Sequence, residues 1–347
     1  MKRADPLRRF TPTPHGVELP VMGHSLRLET NSQRILEHAV DLFSMYPGAR
    51  SQCSEFLWRI VSQSHPPMHP PWPQRSAFSD DGLRYIEFGQ RNFLAVDLDA
   101  REGVAFLTEG LVEDELGLTS PFLDNLFCMT AASLGLTAVS AACVGLGEEG
   151  LLVMGSPNSC KTTASYIAAK NGLEFHADRA LFIERKEASL QAWGDFWPAA
   201  FRPETLHFLP ELQASARLFR YGDFQFYYLN KRAFQNAQTH PIVPVCCVFL
   251  DRQATPIFRL SAVPRAEFSR RVAGLAAFQD DARFESQRAA VFGALGELPA
   301  YDLTYSGDPA IAARLFPGLL RKHSDRQRGG LGSAGGVQPG GIQEDVK

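Results

Sequence analysis

Between Gly155 and Thr162 the chain reads Gly-Ser-Pro-Asn-Ser-Cys-Lys-Thr. Small residues run up to a lysine and then a hydroxyl residue, the spacing of a loop that cradles phosphate. A phosphate is held where successive backbone N–H groups converge and a helix N-terminus faces the same space. In that chemistry Lys161 reaches the β- and γ-phosphates, and Thr162 sets its hydroxyl on Mg²⁺. The candidate nucleotide-binding residues are therefore Gly155, Ser156, Pro157, Asn158, Ser159, Cys160, Lys161, Thr162 and Thr163. Cys160 stands where such loops carry their second glycine. A side chain there costs on the order of 1 kcal/mol if the backbone is strained. That is small beside the roughly 8 kcal/mol of micromolar nucleotide binding. A thiol at a helix N-terminus beside a lysine is also expected to be more acidic than the core thiols Cys246 and Cys247.

The next informative carboxylate is Asp178, 17 residues after Lys161, at the end of the stretch Leu-Glu-Phe-His-Ala. The strand beside a phosphate loop commonly ends in a carboxylate near the metal. Asp178 is thus a candidate metal ligand with Thr162, or the base that takes a substrate proton. Asp178 and Lys161 are the candidate catalytic residues, and ATP and Mg²⁺ the implied cofactors. The plainer alternative for Asp178 is a surface aspartate at a strand end. Because successive strand residues alternate faces, Arg179 is expected to point away from the site.

These residues need a strand, a tight turn and a helix in that order. Leu151–Met154 supply the strand, and Lys161–Asn171 a helix closed by Gly172 as its C′ glycine. Leu173–Arg185 reads as one strand running into another. Further strands are expected at Gln225–Leu229, Val243–Asp251 and Ala300–Gly307, with helices at Ala266–Phe278, Ser286–Leu295 and Pro309–Phe316. Upstream, Asn31-Ser32 caps a helix carrying Ile35, Leu36, Ala39, Val40 and Phe43 on one face. Ser54–Ser62 and three short runs within Arg84–Thr108 read as strands, the last three as a meander. Pro121–Leu134 reads as helical. His65 and His69 are four apart, but the prolines around them forbid the helix that would pair them on a metal. Trp193–Leu212 is rich in aromatics and carries Arg202, Glu204 and His207, either an acceptor wall with Arg202 on a phosphate or simply a packed loop.

The 347 residues suit two modest domains or one large one. The expected division is an irregular segment at 1–30, a strand-rich α+β region at 31–135, a nucleotide-binding domain at 136–320 and a disordered Gly-rich tail at 321–347. A net charge of −3, from 35 basic and 38 acidic residues, gives no reason to expect nucleic acid. Six cysteines without a C-x-x-C pair suit a reduced, cytoplasmic protein. Asn125–Gly147 runs 23 residues without a charge, but its Ser, Thr and Gly content fits a buried helix and strand better than a membrane span.

The segment GLLVMGSPNSCKTTASYIAAKNGLEFHADRALFIE resembles the core of the HPr kinase/phosphorylase family, whose fold is related to phosphoenolpyruvate carboxykinase. The likeness is clearest over Thr137–Glu184 and continues more faintly to Phe316. It implies an α/β fold with a mixed sheet around a P-loop, and an ATP- and Mg²⁺-dependent serine kinase. The matching residues are Gly155, Lys161, Thr162 and Asp178. Three positions depart from the family pattern: Cys160 for the loop glycine, Arg179 for the second of two aspartates, and Ser140 for a histidine before the loop. Two functions follow. One is an ATP-dependent phosphotransferase acting on an unknown protein or small molecule. The other is a non-catalytic nucleotide-binding regulatory or assembly protein, a pseudokinase, favoured by Arg179 and Ser140. A homo-oligomer is compatible with either.

Overall fold

The loop strand Glu149–Gly155 lies inside a six-stranded mixed sheet. The structure is a computed structural model that describes residues 11–48, 53–64, 72, 75–80, 82–89, 91–187, 189–221, 223–234, 236–276 and 282–329. The order across this sheet is Glu174–Ala177, Ala142–Leu146, Glu149–Gly155, Val243–Gln253, Ala300–Ser306 and Phe258–Ala262. The three strands from Glu149–Gly155 to Ala300–Ser306 run parallel, and the flanking pairs are antiparallel. Leu151, Leu152, Val153 and Met154 are all buried, as an unbroken apolar run in a central strand requires. Leu151 and Val153 face the helix Lys161–Lys170 and the C-terminal helix through Ala164, Ala168, Phe316 and Leu320. Leu152 and Met154 face Phe268, Val291 and Leu295 on the other side.

A second, seven-stranded mixed sheet occupies the first third of the chain. The expected meander is there, as antiparallel Leu83–Phe88, Asn92–Asp97 and Glu102–Thr108. The helix Gln33–Phe43 is capped as expected, with Ser32 Oγ accepting from Ile35 N–H at 3.4 Å. Residues 15–30, expected to be irregular, are instead a hairpin of His15–Val21 and His24–Thr30. The turn is Met22-Gly23, both at positive φ (50° and 82°). Pro20 is tolerated because His15–Val21 is the outermost strand.

Leu173–Arg185 splits as expected into two strands, which belong to different sheets. Glu174–Ala177 is the edge of the six-stranded sheet, while Leu181–Lys186 sits between Ser189–Gly194 and Thr137–Val139. The chain changes sheet at residues 178–180. A fourth sheet, Ala199–Phe201, Phe224–Leu229 and Arg217–Tyr221, stands beside that turn. The core under the seven-stranded sheet runs on past residue 136: Phe127 packs on Phe182 (4.9 Å between ring centroids) and Phe196 (5.6 Å), and Tyr46 Oη donates to Gly194 O at 2.8 Å.

At the C-terminal end, the helix Phe316–Gly329 extends beyond the boundary expected at 321. Leu319, Leu320 and His323 form a buried stripe there, and His323 Nε2 shares a hydrogen bond of 2.8 Å with Tyr301 Oη. Average composition of the glycine-rich end hides this short periodic signal. Residues 330–347, and also His65 and His69, lie outside the described residues. Among the described residues no helix is long and apolar enough to cross a membrane.

Candidate functional site

The turn from Gly155 to Cys160 is built by left-handed backbone. Gly155 has φ +139°, and a Cβ there would lie 2.4 Å from Leu250 O, so no other residue fits. Asn158 (φ 72°) and Cys160 (φ 65°) are also left-handed. Cys160 thus bears the backbone conformation that a glycine would adopt without strain. Such alternation turns successive N–H groups inward. The helix Lys161–Lys170 starts there, and its first-turn N–H groups have no acceptor within their own helix.

The loop faces a cleft of about 510 Å³. Of the residues singled out in the sequence, Pro157, Asn158, Cys160, Lys161, Thr162 and Asp178 line it, together with Thr163. Gly155 ends the strand beneath, Ser156 is exposed, and Ser159 is buried with its Oγ unpartnered. Lys161 Nζ donates to Gly155 O at 2.8 Å and Ser156 O at 2.9 Å. Burial pulls its pKa down, while Asp178 and Cys160 pull it up.

Asp178 is fully enclosed. Its Oδ2 accepts from Ala200 N–H at 2.9 Å, while Oδ1 is buried with no partner. Burial pushes the carboxyl up to about 6, against the hydrogen bond from Ala200 N–H and the nearby Thr162 hydroxyl. The plainer alternative, a surface aspartate, is excluded by 3% exposure. Cys160 corrects an expectation: burial raises its pKa, outweighing Arg252 and Lys161. The half-buried thiol loses more by desolvation than the neighbouring cations return.

Arg179 is also displaced from its expected place. Strand alternation fails because the strand ends at Ala177 and 178–180 are a bend. The guanidinium lines the cleft wall, stacked 4.4 Å over the Trp197 ring, with Nη2 donating to Asp124 Oδ2 at 3.1 Å. Arg202, Glu204 and Phe208 from the aromatic-rich segment also line the cleft.

Three contributors were not singled out in the sequence. Asp195 Oδ2 accepts from the N–H groups of Asp178 (3.4 Å), Arg179 (3.2 Å) and Ala180 (3.3 Å), which fixes the bend. Lys231, itself buried, donates to Asp195 Oδ1 at 2.5 Å and to His176 O at 2.8 Å. Arg252 enters from the strand Val243–Gln253 and lies beside Cys160 and over the Phe208 ring at 5.1 Å. Each comes from a segment remote from the loop, so no local spacing could reveal it.

No family model matches the chain, and no curated protein matches it. Among solved structures it is similar to the HPr(Ser) kinase/phosphatase from Coxiella burnetii, at 10% identity and a TM-score of 0.28, over 55% of this chain and 99% of that one. A likeness of that size decides nothing about activity.

Proposed function

We propose that the chain binds a nucleoside triphosphate, ATP with Mg²⁺, at the 155–163 loop and transfers its terminal phosphoryl group to an acceptor that enters the same cleft. The observation that carries this reading is Asp178 Oδ1. A buried carboxylate oxygen without a partner is costly unless something else completes it. Here the Asp178 carboxyl shares the cleft with Lys161 and Thr162, beside a loop of left-handed backbone. These residues fit a divalent cation, a hard ion that takes carboxylate and hydroxyl oxygens. Thr162 and Asp178 would hold Mg²⁺, which when bound neutralises phosphate charge.

In this reading the loop N–H groups and the helix start bind phosphate oxygens. Lys161 leaves its carbonyl partners for the β- and γ-phosphates. Asp178, with a pKa near 6, can also accept a proton from an acceptor hydroxyl at neutral pH. The cations of Arg202 and Arg252 border the space where phosphate charge would accumulate. A second reading, nucleotide binding without transfer, is favoured by one observation: the side chain that follows Asp178 is a cation engaged by Asp124 rather than a second metal-ligating carboxylate.

Calorimetry with Mg-ATP tests the shared part. Saturable binding is expected, with Lys161→Ala weakening it at least tenfold, about 1.4 kcal/mol. Absence of binding at millimolar ATP overturns both readings. Incubation with γ-labelled ATP, Mg²⁺ and cell extract separates them, since labelled acceptor lost on Asp178→Asn supports transfer.

A further inference from the structure

At the edge strand that leads into Asp178, three side chains converge that play no part in the proposed nucleotide site. Glu174 and His176 are two apart on the strand Glu174–Ala177, so their side chains share a face. His240 is brought alongside by a backbone ladder: Phe175 N–H donates to Asn236 O at 2.8 Å, and Gln238 N–H to Phe175 O at 3.0 Å. One ligand atom from each of Glu174, His176 and His240 lies within 4.8 Å of the other two. Glu174 Oε2 is 3.3 Å from His176 Nε2 and 3.8 Å from His240 Nε2.

We propose that Glu174, His176 and His240 form a binding site for a divalent transition metal of the zinc class, tying the edge strand to the 236–242 segment. Two imidazoles and a carboxylate are a donor set that suits zinc, with bonds near 2.0–2.1 Å. Tetrahedral ligands at that length stand about 3.3 Å apart, the separation already present between Glu174 and His176. Closing the set needs only His240 to swing inward, and its side chain is 38% exposed on a loop.

Three further observations bear on the site. His176 is wholly buried; its Nε2 meets Glu174 Oε2 at 3.3 Å, and its Nδ1 has no hydrogen-bond partner. Position 145 is glycine, and a Cβ there would stand 2.6 Å from His176 Nε2, filling the approach to the ligand atom. Gly147 offers its backbone N–H to Glu174, and its carbonyl accepts from His240 Nε2 at 3.2 Å, a bond that His240 exchanges for the metal when its ring swings inward. Glu174 and His240 are partly exposed, leaving an entry path and a fourth position for water.

The test uses the full chain, stripped with a chelator and dialysed, then titrated with Zn²⁺ against a chromogenic competitor in excess Mg²⁺, which keeps the loop site supplied with a hard cation. One Zn²⁺ per chain is expected, with a rise in melting temperature on saturation. His176 is too buried to replace safely, so the variants are His240→Ala and Glu174→Gln, each checked by circular dichroism. Each should weaken Zn²⁺ at least tenfold and lose the thermal shift. A wild-type chain that takes up no Zn²⁺ at micromolar concentration overturns the proposal. So does uptake unchanged in both variants, which would locate the metal at thiols such as Cys53 or Cys160.

Discussion

Asp178 and Asp195 are both buried, lie on neighbouring segments and touch the same bend, yet they are held in opposite ways. Asp195 is saturated: one oxygen takes three successive backbone N–H groups and the other pairs with Lys231. Asp178 has one oxygen satisfied and the other unpartnered. The first arrangement stabilises the fold. The second carries a desolvation cost that the fold does not recover. That unrecovered cost is what the proposed role for Asp178 would use. Asp195 is therefore the positioning residue, and Asp178 the one that would meet ligand.

The sharpest way to break this contrast is Asp195→Asn. It leaves Lys231 buried without its counter-charge and is expected to cost about 3–5 kcal/mol in urea unfolding. Adding Lys231→Met should return part of that loss, because the two effects share one ion pair. A loss below about 1 kcal/mol would mean that Asp195 does not hold the bend.

Asp178→Asn should do the reverse. With its pKa raised from 3.8 to about 6, the protonated carboxyl contributes favourably. That contribution is fully present below pH 3.8 and is lost as pH rises through about 6. In metal-free buffer the amide variant should therefore gain stability over wild type above pH 6, on the order of 2–3 kcal/mol, and little at pH 4. Parallel stability curves across that range would refute the assignment. Phosphoryl transfer, if present, should vanish in the same variant.

The smallest effect concerns the loop. Cys160→Gly relieves a left-handed side chain but gives the unfolded chain more freedom, for a net gain of about 0.5–1 kcal/mol. A destabilised Cys160→Gly protein would show that the thiol's packing outweighs its backbone strain.

What could be read in the sequence divides along the same line. The strand, turn and helix around Gly155–Thr162 were legible because an apolar run, small turn residues and a helical pattern follow one another without a break. Asp178 was legible because it ends an apolar strand. The expected glycine at position 160 has a physical basis, since that residue is left-handed. Asp195, Lys231 and Arg252 were not legible, because a buried counter-ion has no spacing rule and reaches the site only through tertiary structure. Arg179 was misjudged because alternation holds only within a strand, and the strand stops two residues earlier. The 15–30 hairpin was hidden by Pro20 and by the prolines just before it, Pro12 and Pro14, although Leu19, Val21, Leu26 and Leu28 are all buried.

The tie between Asp124 and Arg179 bears on how the chain can be cut. One wall of the cleft takes its counter-charge from helix Asp124–Ala131, whose Phe127 is wedged between Phe182 and Phe196. A fragment beginning at residue 136 would bare that aromatic cluster to water and leave Arg179 without its carboxylate. Such a fragment should aggregate or bind ATP poorly, even though it contains every residue of the loop. The portable unit of this protein is accordingly larger than the segment around the 155–163 loop, and grafting or truncation experiments have to begin upstream of the seven-stranded sheet.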